Sequence, residues 1–483
     1  MKFVLALFFL FTISNNSFSQ EHNEYFPDPD TAIQHRLEEW KDLKFGLLMH
    51  WGTYSQWGIV ESWSICPEDL GWASAARKKG IAEGNYSEYV KAYEKLKTTF
   101  DPVKFNPEKW AAAAKYAGMK YMVFTTKHHD GFCMFDTKYT DYKITDKACA
   151  FSSNPRSNVA KEIFNAFRDQ NMWIGAYFSK PDWHSDYYWW KQFPPADRNC
   201  NYQIDKYPAQ WKKFVDYTHG QLNELVSDYG KLDILWLDGG WVRKTSDEEV
   251  KNTLLEKYEG VRWARNPQNQ DIDMPRLVKE VRTKQPKMIV VDRAVPGEQQ
   301  NYLTPEQHIP DNGLPYPWET CMTMAGSWSY VPNDIYKPTN ELIEKLVDIV
   351  SKGGNYLLNI GPSPEGEFSD SAYARLKEIG DWMKINSEAI YGTRMYSVFG
   401  EGDNIRYTQT KNGKTKYIFL FNFPGEHLLL TKIEIDKRQK LSMLGSSKKI
   451  SYTQTSNGLE INLPKELKTT SDHVWVLKIS DPS

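Results

Sequence analysis

The string Asp233-Ile234-Leu235-Trp236-Leu237-Asp238-Gly239-Gly240 is an apolar run of strand length that ends in a carboxylate followed by two glycines. A helical pattern before it stops at Gly230, so the order is helix, turn, strand, acid. In a parallel α/β fold the C-terminal ends of the strands carry the catalytic groups, and glycines there let backbone and ligand approach closely. Asp238 is therefore a candidate working acid, with capping of a following helix as the plain alternative. Two more strings have the same form: Leu47-Leu48-Met49-His50-Trp51-Gly52, and Val123-Phe124-Thr125-Thr126-Lys127-His128-His129-Asp130-Gly131-Phe132. Three histidines and an aspartate on one face can bind a metal or hydrogen-bond the hydroxyls of a polar ligand. Against the metal, no H-x-H or H-E-x-x-H spacing occurs, and neighbours such as His128 and His129 point to opposite faces of a strand.

The elements that position these residues follow from periodicity. Asn106 reads as a helix N-cap, Pro107 as its first residue and Gly118 as its stop, with the strand Tyr121 to Phe124 next. A helix near Val159 to Gln170 precedes the strand Trp173 to Phe178, and one from about Gln210 to Tyr229 leads into the Asp238 strand. A helix with Pro275 near its start precedes Met288 to Val291, and Leu342 to Val350 precedes Tyr356 to Ile360. Helix-strand repeats over residues 24–391 predict an α/β fold, a (β/α)8-like barrel in preference to a doubly wound sheet, because no G-x-G-x-x-G or phosphate-loop motif is present. From 392 to 483 the pattern changes to short strands around Asn412-Gly413 and Asn457-Gly458, which predicts a C-terminal antiparallel β-sandwich domain.

Composition narrows the function. A net charge of -2 without a long basic run argues against nucleic-acid binding. Aromatic residues make up 14% of the chain, with 18 Trp, which suits stacking on the apolar face of a sugar as well as a large core. Lys2 followed by the short apolar run Phe3 to Ile13 and the small residues near Ser19 reads as a signal peptide over residues 1–20, which predicts a periplasmic or secreted protein without a membrane span. Five scattered cysteines with no C-x-x-C pair give no disulfide framework and no zinc ribbon.

Taken together, His50-Trp51-Gly52, Thr126-Lys127-His128-His129-Asp130-Gly131-Phe132, Gly175-Ala176-Tyr177-Phe178-Ser179, Trp236-x-Asp238-Gly239, Asp292-Arg293, Trp318-Glu319-Thr320-Cys321 and Gly353-Gly354-Asn355-Tyr356-Leu357-Leu358-Asn359-Ile360-Gly361-Pro362 resemble glycoside hydrolase family 29, the α-L-fucosidases. The resemblance covers nearly the whole chain. It implies a retaining exo-glycosidase acting on terminal α-L-fucose of a fucosylated oligosaccharide or polysaccharide, without cofactor or metal. An α-L-galactosidase on the same frame and a metal-dependent hydrolase are the alternatives.

By the same resemblance Asp238 is the nucleophile and Arg293 its cation. For the acid/base, Glu306 is favoured over Glu298 on its distance from Asp292-Arg293, with Glu319 as a third option. His50, His128, His129 and Tyr177 would bind sugar hydroxyls, Trp236 would lie beside the nucleophile, Trp63 would be a binding aromatic and Trp318 would face the C5 methyl. The family's adjacent Glu-Trp pair reads here as Glu61-Ser62-Trp63, a departure that leaves Glu61 without a role. The aromatic run Lys180 to Trp190 reads equally as a wall of the leaving-group subsites and as a loop packed on the barrel rim.

Overall fold

The computed structural model describes residues 25–67, 72–255, 257–258, 261–262 and 266–481. The expected signal peptide over residues 1–20 lies outside them. Seven strands form one parallel sheet: β1 Phe45–Met49, β2 Tyr121–Lys127, β3 Trp173–Ser179, β4 Ile234–Asp238, β5 Ile289–Asp292, β6 Glu319–Thr323 and β7 Asn355–Ile360. Their order is β5-β4-β3-β2-β1-β7-β6. Helices Pro107–Tyr116, Val159–Asp169, Pro208–Asp228, Met274–Lys284 and Thr339–Ser351 precede β2, β3, β4, β5 and β7. The first of them starts as its punctuation requires, with the Asn106 side chain accepting from the Lys109 N–H at 3.0 Å.

No helix separates β5 from β6, and their ladder is open. Residues 299–307 close the gap. On one side Gln299 O accepts from the Asp292 N–H and the Asn301 N–H donates to Val290 O, each at 3.0 Å. On the other, Leu303 O accepts from the Glu319 N–H at 2.8 Å and Pro305 O from the Cys321 N–H at 3.2 Å, while the Gln307 N–H donates to Cys321 O at 3.0 Å. Pro305 has no N–H to give, so this eighth stave cannot become a regular strand. The fold is thus a (β/α)8-like barrel whose last stave is irregular.

Alternation along each strand divides two cores. Leu48, Tyr121, Val123, Tyr177, Ile234, Trp236, Ile289, Val291 and Leu357 fill the barrel, while Leu47, Met122, Phe124, Leu235, Val290 and Leu358 face the surrounding helices. Helix α1, Thr31–Leu43, plugs the N-terminal end of the barrel with Ile33, Leu37 and Trp40. Sequence patterning gave no sign of this plug. Its Trp40 ring stacks on Tyr302 at 4.1 Å.

Beyond the last barrel helix, Asp370–Asn386, lie a five-stranded antiparallel sheet and a three-stranded one, packed around Tyr407, Ile418, Leu430, Leu459 and Leu477. Asn412-Gly413 turns the hairpin between Ile405–Thr410 and Lys416–Leu420. This domain grips α1: Arg394 donates to Asp42 at 2.7 Å and to Glu38 at 3.0 Å, and Lys411 donates to Asp42 at 2.6 Å. All five cysteines are buried and none forms a disulfide, and no described helix is long and apolar enough to cross a membrane.

Trp40 is fully buried beneath the barrel. Trp40→Ala is expected to cost about 3–5 kcal/mol, as aromatic truncation in a packed core does. A urea midpoint equal to wild type would show that α1 does not hold the barrel end.

Candidate active site

The C-terminal ends of the strands converge on one carboxylate. Asp238 ends β4. Its Oδ2 accepts from the Tyr177 hydroxyl at 2.7 Å and its Oδ1 from Arg293 Nη1 at 3.0 Å, and His129 Nε2 lies 3.8 Å from Oδ2. Burial pushes this carboxyl up, but Arg293, the Tyr177 hydroxyl and the Gly239 N–H outweigh it and hold Asp238 well below the usual carboxylate range. Arg293 also donates through Nη2 to Glu306, which sits on the irregular stave with 39% of its side chain exposed. One guanidinium therefore binds both carboxylates. Glu298 is exposed on the same connection. Gly239 takes φ +87°, and a Cβ there would meet Pro181 Cδ at 2.3 Å. The close approach this glycine permits is thus to the neighbouring loop.

Imidazoles and rings form the wall. β1 ends at Met49 and β2 at Lys127, so His50, His128 and His129 follow their strands. The chain has already turned at His128, which overturns the expectation that His128 and His129 face opposite ways: their ring centroids are 4.2 Å apart. His50 lies 5.7 Å from His128 and 5.5 Å from Tyr177. Each histidine has an Nδ1 partner: Asn359 Oδ1 for His50 at 2.7 Å, Ser62 Oγ for His128 at 2.5 Å and Ser179 Oγ for His129 at 2.5 Å. Burial lowers His50 and His129 to about 4 and His128 well below its ordinary value. Trp63 meets the His129 ring edge-on at 5.2 Å. Trp236 stacks on Tyr177 at 5.3 Å with the Arg293 guanidinium over its face at 5.4 Å. The aromatic run after β3 packs at the strand ends. Trp183 packs on His129 at 5.1 Å, and Trp189 stacks behind Trp183 at 5.2 Å. Asp182 anchors the loop, accepting from Lys127 Nζ at 3.1 Å and from the Ser185 N–H at 2.8 Å.

Two residues fall elsewhere. Trp318 precedes β6, at the N-terminal end of the barrel, fully buried with its indole against Gly354. It is remote from the strand ends where the histidines gather, because residues before a parallel strand emerge on the opposite face. Trp328, 5.2 Å from His50, is the indole at that edge of the site. Glu319 opens β6 deep inside the barrel, accepting from the Tyr121 hydroxyl at 2.6 Å and from Trp236 Nε1 at 3.2 Å, and burial raises it to about 7. From there it reaches no leaving group. Glu61 is buried and accepts from the Ser329 N–H at 2.9 Å. Burial raises it to about 7. Sequence reading also passed over Trp241, 5.2 Å from His129, and Arg198, whose guanidinium lies 5.0 Å from Trp63 and 5.3 Å from Trp241. The position of Trp241 directly after Asp238-Gly239-Gly240 was the available signal; Arg198 sits in an irregular loop and gave none.

His128, His129 and Asp238 offer one ligand atom each within 4.8 Å. A divalent cation there would share Asp238 with Arg293 and meet its positive charge, so this donor set suits neutral hydroxyls better.

A family model described as Alpha-L-fucosidase matches residues 12–388, and one described as Alpha-L-fucosidase C-terminal domain matches residues 401–480. The chain belongs to the α-L-fucosidase family. It is 28% identical over 501 residues to human tissue alpha-L-fucosidase, covering 99% of this chain and 96% of the relative. Among solved structures it resembles alpha-L-fucosidase isoenzyme 1 from Paenibacillus thiaminolyticus, with TM-score 0.73, 28% identity, and 94% of this chain and 100% of the other covered. It likewise resembles the Thermotoga maritima alpha-fucosidase in complex with fucose, with TM-score 0.70, 27% identity, and 94% and 100% covered.

The buried imidazoles of this family member tie stability to pH. His50 and His129 are lowered from 6.5 to about 4, so between those values the folded state binds fewer protons than the unfolded chain. Their contribution is complete above the unfolded value and is lost as pH falls through the window, with a slope of up to ~1.4 kcal/mol per unit for each group. Urea unfolding at a series of pH values should show this decline, flattened in His50→Gln and in His129→Gln. An unchanged slope in both variants would mean that these rings are not buried as neutral groups.

Proposed function

We propose that the protein hydrolyses terminal α-L-fucose from oligosaccharides or polysaccharides with retention of anomeric configuration, Asp238 acting as nucleophile and Glu306 as acid/base. The observation that carries this reading is the single Arg293 guanidinium holding both carboxylates. Both carboxylates therefore meet at one cation, as suits the closely spaced pair, about 5–5.5 Å apart, of a retaining glycosidase. Asp238 is kept anionic by its neighbours, as a nucleophile must be. Its attack on the anomeric carbon forms a glycosyl-aspartate as the leaving oxygen takes a proton from Glu306. Glu306 then deprotonates water, which releases the sugar and restores both groups. To reach the leaving oxygen Glu306 turns from the guanidinium, and its exposure leaves room for that.

His50, His128, His129 and Tyr177 bind the ring hydroxyls, with Trp236 beneath, Trp63 and Trp183 lateral, and Trp328 at the apolar edge. An α-L-galactosidase is the weaker reading, since the relatives named above are fucosidases and the extra C6 hydroxyl would have to be met at that edge. The apolar segment behind Lys2 supports export to the periplasm or medium.

Turnover of an aryl α-L-fucoside tests the reading. Asp238→Ala should lose roughly 10³-fold or more in kcat. Glu306→Ala should lose far more on a poor leaving group than on an acidic phenol, whereas Glu298→Ala should stay near wild type. Full activity in Asp238→Ala would move the chemistry elsewhere, and leaving-group dependence in Glu298→Ala instead would exchange the two glutamates.

A further inference from the structure

Each active-site histidine rests on a partner whose own hydrogen bonds dictate where the ring proton sits. Asn359 Nδ2 donates to Trp328 O at 2.7 Å, which leaves its Oδ1 as the acceptor facing His50. The proton of His50 is therefore on Nδ1, and Nε2 keeps its lone pair. The Ser179 hydroxyl donates to Pro181 O at 3.0 Å, so its oxygen accepts from His129 Nδ1–H, and His129 Nε2 also keeps a lone pair. Ser62 is arranged the other way. Its oxygen accepts from the Asp130 N–H at 2.9 Å, and its own proton has His128 Nδ1 as its partner. The proton of His128 is then on Nε2. The charged groups acting on these rings are Asp238, Glu306, Arg293 and Arg198, and burial outweighs them, so all three rings are neutral.

We infer that Asn359, Ser179 and Ser62 are positioning residues that set a mixed tautomer pattern, with hydrogen-bond acceptors at Nε2 of His50 and His129 and a donor at Nε2 of His128. A hydroxyl can donate or accept, so a neutral polyol satisfies all three positions. A carboxylate, sulfate or phosphate on the sugar satisfies only one, and elsewhere meets two lone pairs and the ionised Asp238. The pattern therefore selects a neutral sugar ring with at least two donating hydroxyls and rejects acidic sugars. It rests on the proposed function only for the identity of the sugar.

The test is a long-range 1H–15N correlation spectrum of the full chain with ring-15N histidine at near-neutral pH, its site signals assigned through His50→Gln, His128→Gln and His129→Gln. The expected result is an Nδ1–H tautomer for His50 and His129 and an Nε2–H tautomer for His128. One shared tautomer for all three, or an imidazolium among them, would overturn the assignment. In Ser62→Ala the His128 signals should average between tautomers, and KM for an aryl α-L-fucoside should rise about tenfold, the worth of one hydrogen bond, with kcat changing less. A KM change with His128 unaltered in the spectrum would also overturn it, because a purely structural role moves KM alone. Wild type that shows the pattern yet turns over no fucoside would defeat the functional reading and leave the positioning assignment standing.

Discussion

An ionised carboxylate in a site walled by aromatic rings is stable only if fixed charges and dipoles replace the water it has lost. Asp238 meets that requirement through Arg293, and the rest of the site follows from their pairing. The guanidinium must arrive from the neighbouring strand end, which the register places beside it: Leu237 pairs with Asp292, so the residues after each come level. The same guanidinium then has a second fork free, and Glu306 takes it. Beneath, Trp236 presents its face to Arg293 while its Nε1 is held by Glu319 at the bottom of the barrel. A chain of contacts thus runs from the reactive carboxylate down through the interior layers, and each layer fixes the orientation of the one above.

The irregular stave shows how the second carboxylate is delivered. Seven staves are regular strands, buried almost throughout with their backbone groups paired along the sheet. The eighth carries Pro305, which does not suit a central strand, and its hydrogen bonds pass from β5 at Gln299 and Asn301 to β6 at Leu303, Pro305 and Gln307. Local rules break where a side chain must be aimed inward at the mouth of the barrel. Glu306 comes from that stretch, one residue after the proline.

This explains which parts of the site were legible in the sequence. Apolar runs that end in Asp238 or in His50 announce themselves, because a buried parallel strand must be apolar along its length and polar where it emerges. Glu306 could be placed only by resemblance, since an irregular stave has no periodicity. Trp318 was misplaced for a related reason: its motif continues straight into β6, and nothing in the string says whether the aromatic residue comes before or after the buried segment. His128 and His129 were read as a strand pair because β-propensity does not mark where the strand lets go. Helix α1 was missed because its stripe of Ile33, Leu37 and Trp40 is only three residues wide, and its partner is the barrel interior rather than a neighbouring helix.

The departure Glu61-Ser62-Trp63 now has a physical meaning. The Glu61 carboxylate accepts the Ser329 N–H, which ties the loop after β1 to the loop after β6. The residue left against His128 is a serine. A carboxylate in that place would draw a proton onto the ring and convert it to imidazolium, adding a charge beside one that Arg293 already balances. A hydroxyl can donate a hydrogen bond to Nδ1 without adding charge. The site thus keeps one compensation, Arg293 against the ionised Asp238, and leaves the imidazoles neutral to meet hydroxyls. Recognition and charge balance are handled by different residues, so a change in one loop can alter which hydroxyls are met without disturbing the ionisation of Asp238.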